Sequence, residues 1–137
     1  MITKLSHSTI YVTDQDAAKD FYVNTLGFEL KHDFPMENNF RWLTVSPKGQ
    51  DIELILLPVD NSFISKENAE KIKQLSGDGV FGPGAFVTNN CKATYEELKA
   101  KGVKFKGEPK EQFYGTEMVM QDPFGNWFSV VEPKEMK

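Results

Sequence analysis

Two pairs of segments, each pair about 75 residues apart, share a pattern. Residues 25–30 (TLGFEL) match residues 100–105 (AKGVKF) at an offset of 75, and both pair a helix-stopping glycine with the start of a strand. Residues 51–56 (DIELIL) match residues 127–132 (WFSVVE) at an offset of 76. A slip of one residue between these anchors is what one turn insertion produces. Tandem duplication explains both matches better than coincidence, so the chain is read as two copies of one small unit.

The element pattern agrees. Residues 5–13 alternate as a strand, with Ile10 and Val12 on one face and His7, Thr9 and Tyr11 on the other. Asp14 or Asp16 is placed to cap the following helix, whose inward stripe is read as Ala17, Phe21 and Leu26, and Gly27 ends it. Strands are expected at 28–34, 40–46 and 51–57, with turn chemistry at 35–39 and 47–50. The second half repeats the order: strand 85–88, helix 92–101 with Tyr95 and Leu98 inward, then strands 103–106, 116–121 and 127–131. Asp122-Pro123-Phe124-Gly125 turns the chain into the last strand. The expected class is α+β: a single domain over 1–137, with β-α-β-β-β module one at about 3–57 and module two at about 81–133. Between them, 58–80 reads as a connector carrying one short helix, capped by Ser65 and stopped by Gly77.

Composition excludes several classes of function. With 20 acidic and 16 basic side chains, net −4, no basic stripe is available for nucleic acid. No apolar run approaches the roughly 20 residues that span a bilayer, and the first residues lack the apolar core of a signal peptide. A single cysteine, Cys91, allows neither an intramolecular disulfide nor a cysteine zinc cage, and is read as an ordinary thiol at a helix start. A cytoplasmic setting is the expectation. Residues 77–82 (GDGVFG) formally satisfy G-x-G-x-x-G, but a helix precedes them and a strand follows, the reverse of the dinucleotide context. These glycines are read instead as a flexible entry to module two, with Gly84 permitting close backbone approach.

Three segments carry a family resemblance: residues 7–30 (HSTIYVTDQDAAKDFYVNTLGFEL), 93–105 (ATYEELKAKGVKF) and 122–133 (DPFGNWFSVVEP). Together they resemble the vicinal oxygen chelate superfamily of glyoxalase I, bleomycin-resistance proteins, extradiol dioxygenases and fosfomycin-resistance enzymes. The resemblance implies two β-α-β-β-β modules forming a curved mixed sheet around a cup, usually in a homodimer. In metal-using members it implies one divalent ion, held by a His from the first strand and a Glu from the fourth strand of each module. Such an ion would chelate adjacent substrate oxygens and stabilise an oxyanion.

Set against that pattern, module one keeps both positions, as His7 and Glu53, the metal ligands if any metal binds. In module two the offset reaches Ser129 where a carboxylate is needed, and Gly82 or Pro83 where a His is needed. No cofactor is assigned; the alternative is a weakly held divalent ion (zinc, nickel, manganese, magnesium or iron), which Glu117 or Gln121 could help to bind through oxygen. Without a metal, Glu53 lies in an apolar strand that penalises an unpartnered carboxylate, and His7 is the expected partner. Either is also a candidate general base, burial being expected to raise the carboxylate toward neutrality. Tyr11, Phe40, Trp42, Tyr114, Glu117 and Ser129 are the expected ligand-binding residues. Arg41 is read as either an anion-binding group or an outward-pointing one. The preferred function is binding of a small aromatic or cationic molecule; the alternatives are a metal-dependent lyase or isomerase of the lactoylglutathione-lyase type and a metal-free enzyme.

Overall fold

A computed structural model describes residues 1–135 of the 137-residue chain. They fall into two compact units, residues 1–77 and residues from 78 onward. The first contains β1 (His7–Val12), α1 (Gln15–Lys19) running directly into a π-helical segment (Asp20–Thr25), β2 (Glu29–Pro35), β3 (Arg41–Ser46), β4 (Glu53–Pro58) and α2 (Lys66–Gly77). Its mixed sheet has the order β1-β4-β3-β2, with β1 parallel to β4 and the other pairs antiparallel.

The second unit contains β5 (Gly84–Val87), α3 (Cys91–Ala100), β6 (Lys104–Phe105), β7 (Lys110–Gln112), β8 (Gly115–Gln121) and β9 (Trp127–Pro133). Its sheet runs β5-β9-β8-β6, again with first and last strands parallel, so the repeat seen in sequence is a repeat of connectivity. Strand β7, which also pairs with β8, was not expected. Its residues Lys110, Glu111 and Gln112 are polar and exposed, so they carry no apolar alternation to betray a strand.

In the first unit Ile10, Val12, Leu43, Val45 and Leu56 are buried on one face of the sheet, the face α1 packs against through β3 and β4. Asp14 caps α1, accepting the Ala17 N–H at 3.0 Å. The expected inward stripe needs correction: Ala17 is exposed, whereas Ala18, Phe21 and Tyr22 are buried and Leu26 is half-buried. The π-helical segment is the reason. Its wider turn, seen where the Leu26 N–H donates to the Phe21 carbonyl five residues back at 2.9 Å, breaks the 3.6-residue spacing behind that reading. Ser65 caps α2 as expected, accepting the Asn68 N–H at 3.1 Å.

In the second unit α3 packs on β8 and β9, with Cys91, Tyr95 and Leu98 buried, as are Met118, Met120, Phe128 and Val130 of the sheet. Asn90 caps it by accepting the Ala93 N–H at 3.0 Å. Burial, then the Glu132 charge, pushes the Cys91 thiol up, which keeps it protonated and unreactive. The turn into β9 is built by buried Asp122, which accepts the backbone N–H groups of Phe124 and Asn126 at 2.9 Å each and the Asn126 amide at 2.8 Å. The glycine reading is also corrected. A Cβ at Gly84 would meet nothing within 4 Å, whereas one at Gly79 would lie 2.7 Å from the Trp127 indole nitrogen.

Arg41 neither points freely outward nor is available to an anionic ligand. Its Nε and Nη2 donate to the two Asp33 oxygens at 2.8 and 3.0 Å, and Nη1 donates to Asp16 at 2.7 Å. Lys19 adds a donation to Asp33 at 2.8 Å. The Arg41 fork, then Lys19, holds the Asp33 carboxyl well below the usual carboxylate range. A depressed folded pKa contributes stability that is fully present above the unfolded value near 3.9 and is lost as pH falls toward the folded one. Asp33→Asn is therefore expected to cost about 2 kcal/mol at pH 7. The gap from wild type should narrow as urea unfolding is repeated below about pH 4.

Candidate functional site

The other face of the first sheet carries the chemistry. The β1–β4 register sets His7 against Glu53, Thr9 against Ile55 and Tyr11 against Leu57. Alternation along β3 puts Trp42 and Thr44 on this face while Leu43 and Val45 face the core. Strand β2 then departs from simple alternation. Leu30 pairs with Val45, but His32 pairs with Thr44, so Lys31 is an extra residue in the ladder. Strict period two would have sent His32 to the same side as Leu30; the bulge turns it to the side of Thr44 and Glu53.

Three polar side chains meet there. The Thr44 hydroxyl donates to Glu53 Oε1 at 2.7 Å, and His32 Nδ1 lies 2.9 Å from the same oxygen and 3.2 Å from Thr44 Oγ1. His7 Nε2 is 3.8 Å from Glu53 Oε1, an ion-pair distance but too long for a hydrogen bond, while its Nδ1 is 2.9 Å from Ser6 Oγ. The partner expected for Glu53 was His7; the closer ones are Thr44 and His32. The Thr44 bond holds the Glu53 carboxyl below its ordinary range, with burial opposing and His32 adding to the depression. That is the opposite direction from the rise expected of burial alone.

Next to this cluster lies a cavity of about 620 Å³. Its apolar walls are Met36, Phe40, Trp42 and Phe63; Glu37 is the charged residue among those lining it, and Asn38 and Ser62 complete it. Phe40 and Phe63 meet edge to face with ring centres 5.8 Å apart. The 37–39 turn that closes it needs positive φ at Asn38 and Asn39, a conformation asparagine tolerates better than most residues. Trp42 links cavity and polar cluster, its ring centre 5.8 Å from that of His7. Phe34, opposite Trp42 in the ladder, meets His32 edge to face at 6.0 Å. Of the expected ligand-binding residues, Phe40 and Trp42 line this cavity. Tyr11 shares the His7 face but is not among the lining residues.

In the second unit Tyr114, Glu117 and Ser129 do come together. Tyr114 donates its hydroxyl to Glu117 Oε1, and Ser129 donates to Oε2 at 2.5 Å. These two donors, Ser129 first, hold Glu117 below its usual range against the effect of burial. The β5–β9 register sets Ala85, not Gly82 or Pro83, opposite Ser129. Ala85 thus takes the place that His7 takes opposite Glu53; the glycine-rich entry before β5 absorbs the extra offset. Neither Ala85 nor Ser129 offers an imidazole or a carboxylate.

A catalytic zinc centre generally needs three protein ligands. His7, His32 and Glu53 are the right residue types, but His32 turns toward Glu53 the nitrogen that bonds it, and Glu53 Oε1 is already shared with Thr44. Among the described residues no three His, Cys, Asp or Glu side chains are arranged to hold a metal ion. Nor is any described helix long and apolar enough to cross a membrane.

Comparison with known proteins places the chain. The family model for the Glyoxalase/Bleomycin resistance protein/Dioxygenase superfamily matches residues 4–130. The Bacillus subtilis (strain 168) protein YurT is 37% identical over 131 residues, covering 94% of this chain and 98% of its own. Among solved structures, UcmS2 superposes with a TM-score of 0.92 at 42% identity, covering 96% of this chain and 99% of that one. TnmS3, an antibiotic binding protein from Streptomyces sp. CB03234, superposes with a TM-score of 0.77 at 31% identity, covering 97% and 98%. Sequence repeat, sheet connectivity and family match agree: the chain belongs to the Glyoxalase/Bleomycin resistance protein/Dioxygenase superfamily.

Proposed function

We propose that this chain binds a small aromatic or cationic molecule against the Trp42 face of its first sheet, without a complete four-ligand metal site. The observation that carries the reading is the cavity walled by Met36, Phe40, Trp42 and Phe63 with the Glu37 carboxylate at its lining. Aromatic walls with few polar groups suit a small ligand, and a carboxylate beside aromatic rings suits a cation. The antibiotic-binding description of TnmS3 is consistent with it. A metal-dependent lyase or isomerase is the second reading, favoured by His7 and Glu53 standing opposite each other on parallel strands.

Elemental analysis separates the two. After dialysis, with or without added nickel, zinc or manganese, the protein is expected to retain well under one equivalent of metal. Stoichiometric metal held more tightly than micromolar would favour the lyase reading. A thermal-shift screen of cationic aromatic compounds, glutathione adducts and α-keto compounds then identifies the ligand class. A ligand at about 100 times its Kd adds about 2.7 kcal/mol of stability, a shift of several degrees for a chain this size. Stabilisation by the aromatic cations alone is the expected pattern.

A further inference from the structure

We propose that the bulge at Lys31 builds a fixed hydrogen-bond acceptor, Nε2 of His32, which selects ligands carrying an O–H or N–H donor beside an aromatic ring. This deepens the binding reading above and rests on it.

The tautomer follows from the partners of Nδ1. An ionised carboxylate only accepts, so the 2.9 Å contact with Glu53 Oε1 requires a proton on Nδ1. Thr44 cannot supply that proton, because its hydroxyl hydrogen is directed at Glu53 across 2.7 Å. What Thr44 shows His32 at 3.2 Å is its oxygen, a second acceptor. Both neighbours demand a donor, so in the neutral ring the lone pair sits on Nε2. Among the described residues nothing donates to that nitrogen, and the His32 side chain is 48% exposed. Glu53 and Thr44 thus act as positioning residues that fix both the orientation of the ring and the side on which it accepts.

The placement is specific. Without the extra residue in β2 the imidazole would lie on the opposite side of the sheet; with it, His32 stands two residues from Phe34, about 7 Å along the strand. Phe34 lies opposite Trp42, which lines the cavity. A flat ligand against Trp42 would therefore reach His32 with a substituent at its edge. An acceptor desolvated by a ligand with no donor loses its water without replacement, which disfavours that ligand.

The test uses 2-naphthol and 2-methoxynaphthalene, which share a ring system and differ in the donor. Calorimetry at pH 8, above the ordinary imidazole range, should show wild type preferring 2-naphthol about tenfold. In His32→Phe, which keeps a ring of similar size, the ratio should fall to about one while 2-methoxynaphthalene binds as before. Glu53→Gln, whose amide can donate to Nδ1, should also abolish the preference, an effect that simple loss of packing would not produce. Nitrogen-15 spectra of wild type should show the proton on His32 Nδ1. A proton on Nε2, or a tenfold preference that survives His32→Phe, overturns the proposal. Equal binding of both probes by wild type overturns it too and leaves the aromatic site standing; binding of neither overturns it, and the binding reading falls with it only if the aromatic cations also leave the protein unstabilised.

Discussion

Trp42→Ala is expected to weaken binding of a ligand found by screening about a hundredfold while leaving the fold in place. Trp42 lines the cavity and also adjoins the polar cluster, with its ring centre 5.8 Å from that of His7. Truncating an aromatic anchor at the centre of a binding surface typically costs about 2–4 kcal/mol, and about 2.7 kcal/mol corresponds to a hundredfold. The fold should tolerate the change because the β3 side chains in the core are Leu43 and Val45, both fully buried on the other face. Loss of stability should stay within about 2 kcal/mol, read by urea unfolding. Trp42→Phe should recover most of the affinity, since a ring remains to pack against the ligand. Loss of binding accompanied by unfolding would instead make Trp42 a structural residue.

Gly115→Ala is expected to be strongly destabilising. Gly115 sits at φ +148, where side chains are disfavoured, and an added Cβ would lie 2.2 Å from the Glu132 carbonyl oxygen and 3.0 Å from the Pro133 Cα. Both obstacles are backbone, and Gly115 is paired with Pro133 in the β8–β9 ladder, so neither strand can yield without losing the pairing. A cost of about 3 kcal/mol or more follows, enough to lower the urea midpoint sharply. Gly49→Ala is the control. It also has positive φ, +80, but a Cβ there meets nothing within 4 Å, so only the backbone term of about 1 kcal/mol applies. Equal costs at the two sites would show that the close approach to Glu132 is not real.

What the sequence disclosed and what it hid follow from how each feature is encoded. The repeated connectivity was legible because Gly27 and Gly102 stop equivalent helices and the last strand of each module is strongly apolar. That His7 and Glu53 stand on facing strands followed from the family resemblance, which sets the first strand beside the fourth; the grouping of Glu117 with Ser129 was not foreseen. His32 stands on β2, where the resemblance implies no ligand, and strict alternation would put it on the Leu30 side; one unpaired residue, Lys31, reverses that, and bulges leave little trace in a single sequence. The stripe of α1 was misassigned because a π-helical turn is as silent. The offset failed at Ala85 because the glycine-rich entry to β5 adds residues without adding an element. Such local irregularities are where period counting breaks down, and one of them shapes the candidate site.

The decisive measurement is calorimetric titration of the best screening ligand into wild type and Trp42→Ala, each with and without a strong chelator. Metal-free binding on the Trp42 face predicts an unchanged Kd for wild type in chelator and about a hundredfold weaker binding for the variant in both conditions. Binding that disappears in chelator, or that Trp42→Ala retains at full strength, would contradict it.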